Sequence, residues 1–501
     1  MRMAELFRKY THGSILTIWV VVVLAPVLYY RVPWFFSSPD IIYVKAKVLQ
    51  ILAGSLYADP ITGYATFHPP FYHLFLAPFK ALGIEFNVIL VGVTILNIAL
   101  FACFAYKVIS AAFGKTTALY TGLLLSFIVE YMGCRNILLA SSFYFSIPFY
   151  LAGLWLYIRS DMLPHRVVGA AILWGLAFLI SPVYLFVIGF TLIHGFFVAK
   201  RRKYSLMMAI IFLVVLIPFF AQAVIIYSRG LWGASTFALW RGIPDGMWWK
   251  RFVIEFLSPG TEGKLGIPTV LHLAIIIGAV GLMIRRRKIY WYLPVVLLAY
   301  IFTYYHYSAD YAIRIHILFS LFLVAGLLQG LENLPIRRWL WQVPVIFLSI
   351  ASLVYHNYNA NLTFAHETGL YGNVKQAGRG LWANMPRHLH EGEYIFCTKP
   401  IYREYVMPHF LVHTLGAYRS MEYFQLCPRI AKELENDYQT AINSINEETI
   451  EQIASKYNIT AAIISGRDAE LPLFQTLLRH WTPVYQDNYF AIIRKPVAII
   501  H

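Results

Sequence analysis

The sequence predicts an α-helical polytopic membrane protein of about eleven transmembrane helices, with a C-terminal soluble α/β domain on the non-cytoplasmic side. Three observations predict it. Of 501 residues, 59% are hydrophobic and only 13% charged, whereas a soluble globule needs about a quarter of its residues charged to cover its surface. Apolar runs of about eighteen residues or more recur from Ser14 to Tyr355, each long enough to cross roughly 30 Å of hydrocarbon. The basic residues behind the net charge of +16 gather in the short gaps between those runs, at Lys200-Arg201-Arg202-Lys203, Arg285-Arg286-Arg287-Lys288 and Arg337-Arg338, with Arg2, Arg8 and Lys9 ahead of the first run. That is a topology signal placing those gaps in the cytoplasm, not a nucleic-acid surface.

In chain order the predicted spans are 14–30, 86–110, 116–132, 138–158, 166–180, 182–199, 205–227, 267–284, 289–306, 311–330 and 339–356. With the N-terminus inside, every basic cluster falls inside, and 31–85, 228–266 and 357–501 fall outside. The chain thus divides into a transmembrane domain, 1–356, and an extracytoplasmic domain, 357–501. The first span is followed by Arg31-Val32-Pro33-Trp34, which offers no small-residue cleavage site, so it is expected to stay attached. Ser181-Pro182 either separates two spans or kinks a single long one.

The outer loop 31–85 is too long for a simple connection. Its amphipathic stretch from Ile41 to Leu56 and its His68-Pro69-Pro70 turn predict helices lying at the interface. The 228–266 loop interleaves Trp232, Trp240, Trp248 and Trp249 with Arg229, Arg241, Lys250 and Arg251, a composition suited to lipid headgroups. Beyond His356 the apolar runs shorten to strand length at Tyr394 to Cys397, Ala461 to Ser465 and Tyr489 to Ile493. Between them Pro428 to Asn443 and Glu447 to Tyr457 carry helical periodicity. Cys397 and Cys427 could pair in an oxidising compartment or remain two thiols. Two sequons, at Asn361 and Asn458, matter only in a host that glycosylates asparagine. No internal repeat is visible.

Gly-rich phosphate loops, HExxH pairs and paired CxxC motifs are missing, so nucleotide hydrolysis and zinc chemistry have no support in the sequence. What stands out is the polar content of the outer face. Asp40-Ile41-Ile42-Tyr43, then Gly54-Ser55-Leu56-Tyr57-Ala58-Asp59, then Phe67-His68-Pro69-Pro70-Phe71-Tyr72 resembles the first outer loop of the GT-C superfamily of membrane glycosyltransferases. Members commonly have an early aspartate, an aromatic residue, a G-x-x-Y element and a Y/H/K-P-P turn. The likeness is nearest to the polyprenol-phosphate-mannose-dependent mannosyltransferases, and extends to the branches that mannosylate protein or add aminoarabinose to lipid A. Asp310-Tyr311-Ala312-Ile313-Arg314 is similar to the family's R-Y element near the donor phosphate, with Tyr here preceding Arg.

The resemblance implies an inverting transfer of a sugar, mannose or another hexose or pentose, from a polyprenyl-phosphate donor to a lipid, glycan or protein acceptor. Polyprenyl phosphate is already a good leaving group. The protein need supply only a carboxylate to take the acceptor hydroxyl's proton and cations to stabilise the departing phosphate. Asp40 fits the first role and Arg314 the second. Tyr43, Asp59, His68, Glu130, Arg135, His306 and Asp310 are the further candidates for substrate contact. Asp40 with Asp59 or Glu130 could hold a divalent ion, although a monophosphate donor gives less need for one. The expected setting is a prokaryotic cell membrane, in contact with membrane lipids.

Each candidate also has a plain structural reading. Asp40 could cap a helix, Asp59 before Pro60 could open a turn, Glu130 could pair with Arg135, and Asp310 with Arg314 at helical spacing. Two other function classes fit the same topology. A lipid or polysaccharide transporter needs no more helices, but the spans show no pseudo-repeat and few charges at mid-depth. A non-catalytic scaffold would tolerate substitution of Asp40.

Overall fold

The computed structural model describes residues 14, 17, 39–64, 70–124, 142–159, 163–197, 201–228, 292–306, 309–335, 337–415 and 428–496. Nearly all of the first predicted span, the His68-Pro69 turn, Glu130, Arg135, the Trp-rich loop, the span at 267–284 and Cys427 lie outside them. The chain divides into two compact units. One holds residues 1–32, 90–220 and 240–364, the other 33–89, 221–239 and 365–501.

The helices are α1 (Pro39–Leu52), α2 (Phe71–Ala81), α3 (Phe86–Phe113), α4 (Lys115–Leu123), α5 (Ser142–Ile158), α6 (Pro164–Ile180), α7 (Leu185–Phe197), α8 (Arg202–Val215), α9 (Ile217–Ser228), α10 (Tyr292–His306), α11 (Ala309–Glu332) and α12 (Trp339–His388). Among the described residues α3 is long and apolar enough by itself to cross a membrane, and α8 with α9 passes as a pair bent by 49°. The sequence predicts one continuous span there. Pro218 explains the bend, because it has no N–H to give and its ring crowds the carbonyl of Val214. Ser181 settles the other ambiguity: its backbone is extended at φ −153° and ψ 121°, so α6 stops there and Pro182 begins a new turn leading into α7. A residue before proline is pushed out of the helical region, which is the local cause.

Helices α5, α6 and α8 approach closely where glycine permits it. A Cβ on Gly153 would lie 2.5 Å from the Trp174 ring, and one on Gly175 2.5 Å from Val215. Small residues at such crossings let apolar helices approach closely. The fully buried Trp174 donates its indole N–H to the Tyr150 carbonyl at 3.2 Å, and Tyr150 in turn shares a hydroxyl hydrogen bond with Tyr292 of α10.

The other unit is built on a four-stranded mixed sheet of β1 (Ile395–Phe396), β2 (Ala461–Ser465), β3 (Thr482–Gln486) and β4 (Phe490–Arg494), in the order β1-β2-β4-β3. β1 runs parallel to β2, while β2–β4 and β3–β4 are antiparallel. Strand periodicity sends alternate side chains to opposite faces. Ala462, Ile464 and Ile493 meet α13 (Pro428–Asn443), α14 (Glu447–Tyr457) and α15 (Pro472–His480) on one face. Ala461, Ile463 and Ile492 face the other way, against Leu381 and Met385 of α12 and Ile42, Tyr43 and Ala46 of α1. The sheet therefore takes one of its covering layers from the segment just after the first predicted span. α1 meets protein on every side, with Ile41 through Val48 all buried, Lys45 and Lys47 included.

Candidate functional site

The segment carrying the sequence pattern is fixed around Asp59. α1 begins at Pro39, whose preset φ suits a first helical position, and Asp40 follows in the first turn, where a carboxylate is favoured by the helix dipole. The side chain of Asp40 is outside the described residues. One turn further on, the buried Tyr43 donates its hydroxyl to Asp59 Oδ1 at 3.3 Å. Asp59 Oδ2 accepts from the Thr62 N–H at 2.9 Å, the Ile61 N–H at 3.2 Å and the Thr62 hydroxyl at 2.8 Å. An aspartate that bonds its own following backbone in this way makes the turn that the Asp-Pro sequence anticipates.

Most carbonyls of the turn from Ala58 to Tyr64 accept a hydrogen bond. Lys47 Nζ donates to Ala58 O, Gly63 N to Asp59 O at 2.8 Å and Asp59 N to Tyr64 O at 2.7 Å. The remaining donors come from beyond the sheet's first strand and its flank. His413 Nδ1 meets Pro60 O at 3.1 Å, Thr414 N donates to Ile61 O at 3.0 Å, and the Tyr394 hydroxyl donates to Thr62 O. Because its partner is a carbonyl, Nδ1 of His413 must carry the proton. Gly63 sits at φ +70°, and a Cβ there would come within 3.0 Å of His413 Nε2, so this position needs glycine for both backbone and space.

The charges are held under unusual conditions. Burial pushes Lys47 down to about 8, against the opposing pull of Asp59. Burial likewise pushes Lys45 down to about 8, opposed by Glu85. The Lys45 ammonium donates to Asn87 Oδ1 at 3.2 Å, and Asn87 in turn donates to Glu85 at 2.9 Å. Burial also lowers His413, against its hydrogen bond to Pro60 and the charge of Asp59, which keeps the imidazole neutral near pH 7.

Of the candidates read from sequence, the structure joins Tyr43 to Asp59. It gives Asp59, 3% exposed, the work of holding the turn, with four donors on its two oxygens. Asp310 and Arg314 fall four residues apart in the first turns of α11, and His306 ends α10; their side chains are outside the described residues. His68, Glu130 and Arg135 are outside as well. Among the described residues no group of three or more His, Cys, Asp or Glu side chains could hold a metal ion. Sequence reasoning missed Lys45, Lys47, Tyr394 and His413. The lysines carried a signal, two charges inside an otherwise apolar helix; the other two carried none.

No family model and no curated protein sequence matches the chain. Solved structures do. ArnT from Cupriavidus metallidurans in the apo state aligns with 95% of this chain and 98% of its own, with a TM-score of 0.60 at 12% identity. The same protein bound to undecaprenyl phosphate aligns with 97% of each chain, with a TM-score of 0.57 at 13% identity. The apo oligosaccharyltransferase of Archaeoglobus fulgidus aligns over 92% of this chain and 70% of its own, with a TM-score of 0.55 at 13% identity. At such identities the likeness is one of fold.

Proposed function

We infer that this chain, which has the GT-C fold over nearly its whole length, is a membrane glycosyltransferase taking a sugar from a polyprenyl-phosphate carrier at the outer membrane face. The observation that carries the reading is the full-length match to a structure that holds undecaprenyl phosphate. A second protein of like fold is described in complex with an inhibitory peptide and a dolichol-phosphate. The acceptor is a lipid, glycan or protein hydroxyl or amide.

In the proposed reaction Asp40 takes the proton of the acceptor group as its heteroatom attacks the anomeric carbon. The bond from that carbon to the phosphate oxygen breaks with inversion, and polyprenyl phosphate leaves with the bonding electron pair. Arg314 stabilises the leaving phosphate, as a guanidinium does through paired donors. The Tyr43–Asp59 bond and the clamp on residues 58–64 support this reading by holding rigid the helix whose first turn carries Asp40. A base displaced by about 1 Å loses much of its advantage. Asp59 acts here as a positioning residue. The chain is read as spanning the membrane with residues 357–501 outside, in keeping with its basic clusters.

The test is transfer by the purified full-length protein in nanodiscs, with a panel of polyprenyl-phosphate sugars as donors and membrane-lipid extract as acceptor. Asp40→Asn should lower transfer by about 10²–10⁴-fold while leaving thermal unfolding unchanged. Undiminished transfer in a folded Asp40→Asn protein would remove Asp40 from the chemistry. Absence of transfer from every donor would favour the transporter reading instead.

A further inference from the structure

An apolar cavity of about 420 Å³ lies between α3, α5 and α6, lined by Leu100, Phe104, Phe149, Leu156 and Leu173, with Lys107 the one charged residue on its wall. Lys107 Nζ sits 4.6 Å from the centre of the Trp155 ring and 5.2 Å from that of Phe104. The Arg159 guanidinium lies 5.1 Å from the same Trp155 ring. Neither cation is within ion-pair distance of a carboxylate among the described residues. Among the described residues both cations lie against aromatic faces, which attract a cation but leave its N–H donors uncommitted.

The same two residues mark a membrane boundary. Lys107 lies in the last two turns of α3, and Arg159 directly follows α5. By the charge-based topology both ends face the cytoplasm, and Trp155 is the residue type that settles at headgroup depth. A tail-sized apolar cleft, an interfacial tryptophan and two uncommitted cations at its inner end are complementary to one class of molecule. Basic pockets between spanning helices on the cytoplasmic side suit anionic headgroups, and the guanidinium fork matches a phosphate.

We propose that this cleft binds an anionic phospholipid of the inner leaflet, its acyl chain between α3, α5 and α6 and its phosphate held by Lys107 and Arg159. The site is separate from the donor site proposed above and does not depend on the enzymatic reading, because its test reads lipid retention and not transfer. Polyprenyl phosphate shares the same chemistry of phosphate and apolar tail, so the experiment must separate the two.

Native mass spectrometry of the full-length protein, titrated with phosphatidylglycerol, phosphatidylcholine or polyprenyl monophosphate, makes that separation. The wild type should prefer phosphatidylglycerol over phosphatidylcholine by about tenfold or more, the worth of two surface cations. The Lys107→Gln/Arg159→Gln protein should lose the preference to within about twofold, and the charge-conserving Lys107→Arg/Arg159→Lys protein should keep it, which separates charge from folding. Equal retention of the two phospholipids by wild type, or a preference that survives in the Gln/Gln protein, would overturn the site. Displacement of phosphatidylglycerol by an equal concentration of polyprenyl monophosphate would overturn its assignment to a phospholipid.

Discussion

Replacing Asp59 by alanine takes away the acceptor of four donors at once: the Tyr43 hydroxyl, the Ile61 and Thr62 amides and the Thr62 hydroxyl. With Asp59 only 3% exposed, water reaches few of these positions. A donor left unpaired in such a place costs about 1–3 kcal/mol, and taking the lower figure for each gives about 4 kcal/mol. Lys47 also loses the countercharge that opposes its desolvation, which adds to the loss. For a cooperative unit of roughly 150–250 residues each kcal/mol moves Tm by about 2–4 °C, so the expected fall is about 8–16 °C. The unit carries its own reporter in Cys397, a free thiol 2% exposed in the core that α1 helps to form. Burial also raises its pKa and keeps it unreactive. In a background where Cys103, Cys134 and Cys427 are serine, labelling by a fluorogenic maleimide against temperature reports opening of this unit. Asp59→Asn, which keeps a carboxamide oxygen as acceptor, should show roughly half the effect. A labelling midpoint for Asp59→Ala within about 2 °C of the parent would refute the idea that the carboxylate holds the turn.

Two further outcomes follow from the same region. Unfolded lysines keep their protons to about 10.5, whereas folded Lys45 and Lys47 release theirs near 8. The unfolded state therefore binds more protons between those limits, and stability should rise as pH goes from 8 to 10.5, by about 3 kcal/mol for each lysine. Lys47→Met should remove about half of that slope in denaturant titrations at several pH values; an unchanged slope would show that Lys47 is solvated. Gly63→Ala should cost roughly 1–3 kcal/mol, because the residue would sit at φ +70° against the His413 ring. His413→Ala, combined with it in a double-mutant cycle, should recover part of the loss, and strictly additive effects would argue against that contact.

The helices legible in the sequence are those whose signal is local. α3, α5, α6, α10 and α11 lie where uninterrupted apolar runs place spans, and β2 and β4 where short apolar runs place strands. Hydropathy falls at His356 and predicts the end of the span there, yet α12 continues to His388; a change of polarity is not a change of backbone. β3 was missed because it is an exposed edge strand holding Pro483, with no apolar alternation to betray it. α15 begins at Pro472 and is nine residues long, too short for periodicity to stand out. The same contrast runs through the site. Asp59 next to Pro60 reads as a turn, and Tyr43 belongs to the pattern that marks the loop. That His413 serves Pro60 depends on two segments 353 positions apart, and nothing near either one records the other.

That separation has a consequence for how the protein is made. At roughly 5–20 residues per second, the ribosome reaches His413 about 20–70 seconds after the Asp59 turn has been synthesised. Throughout that interval α1 has no sheet to cover, and Ile42, Tyr43 and Ala46 have no β2 or β4 to meet. Lys45 and Lys47 fit this waiting period, since in water they are ordinary charged residues that keep an apolar helix soluble and discourage its self-association. The sheet-facing side of α1 is covered only when those strands arrive. A protein truncated before β4 should strand α1 in that early state, and the C-terminal strands expressed alone should expose the face that α1 was synthesised to cover.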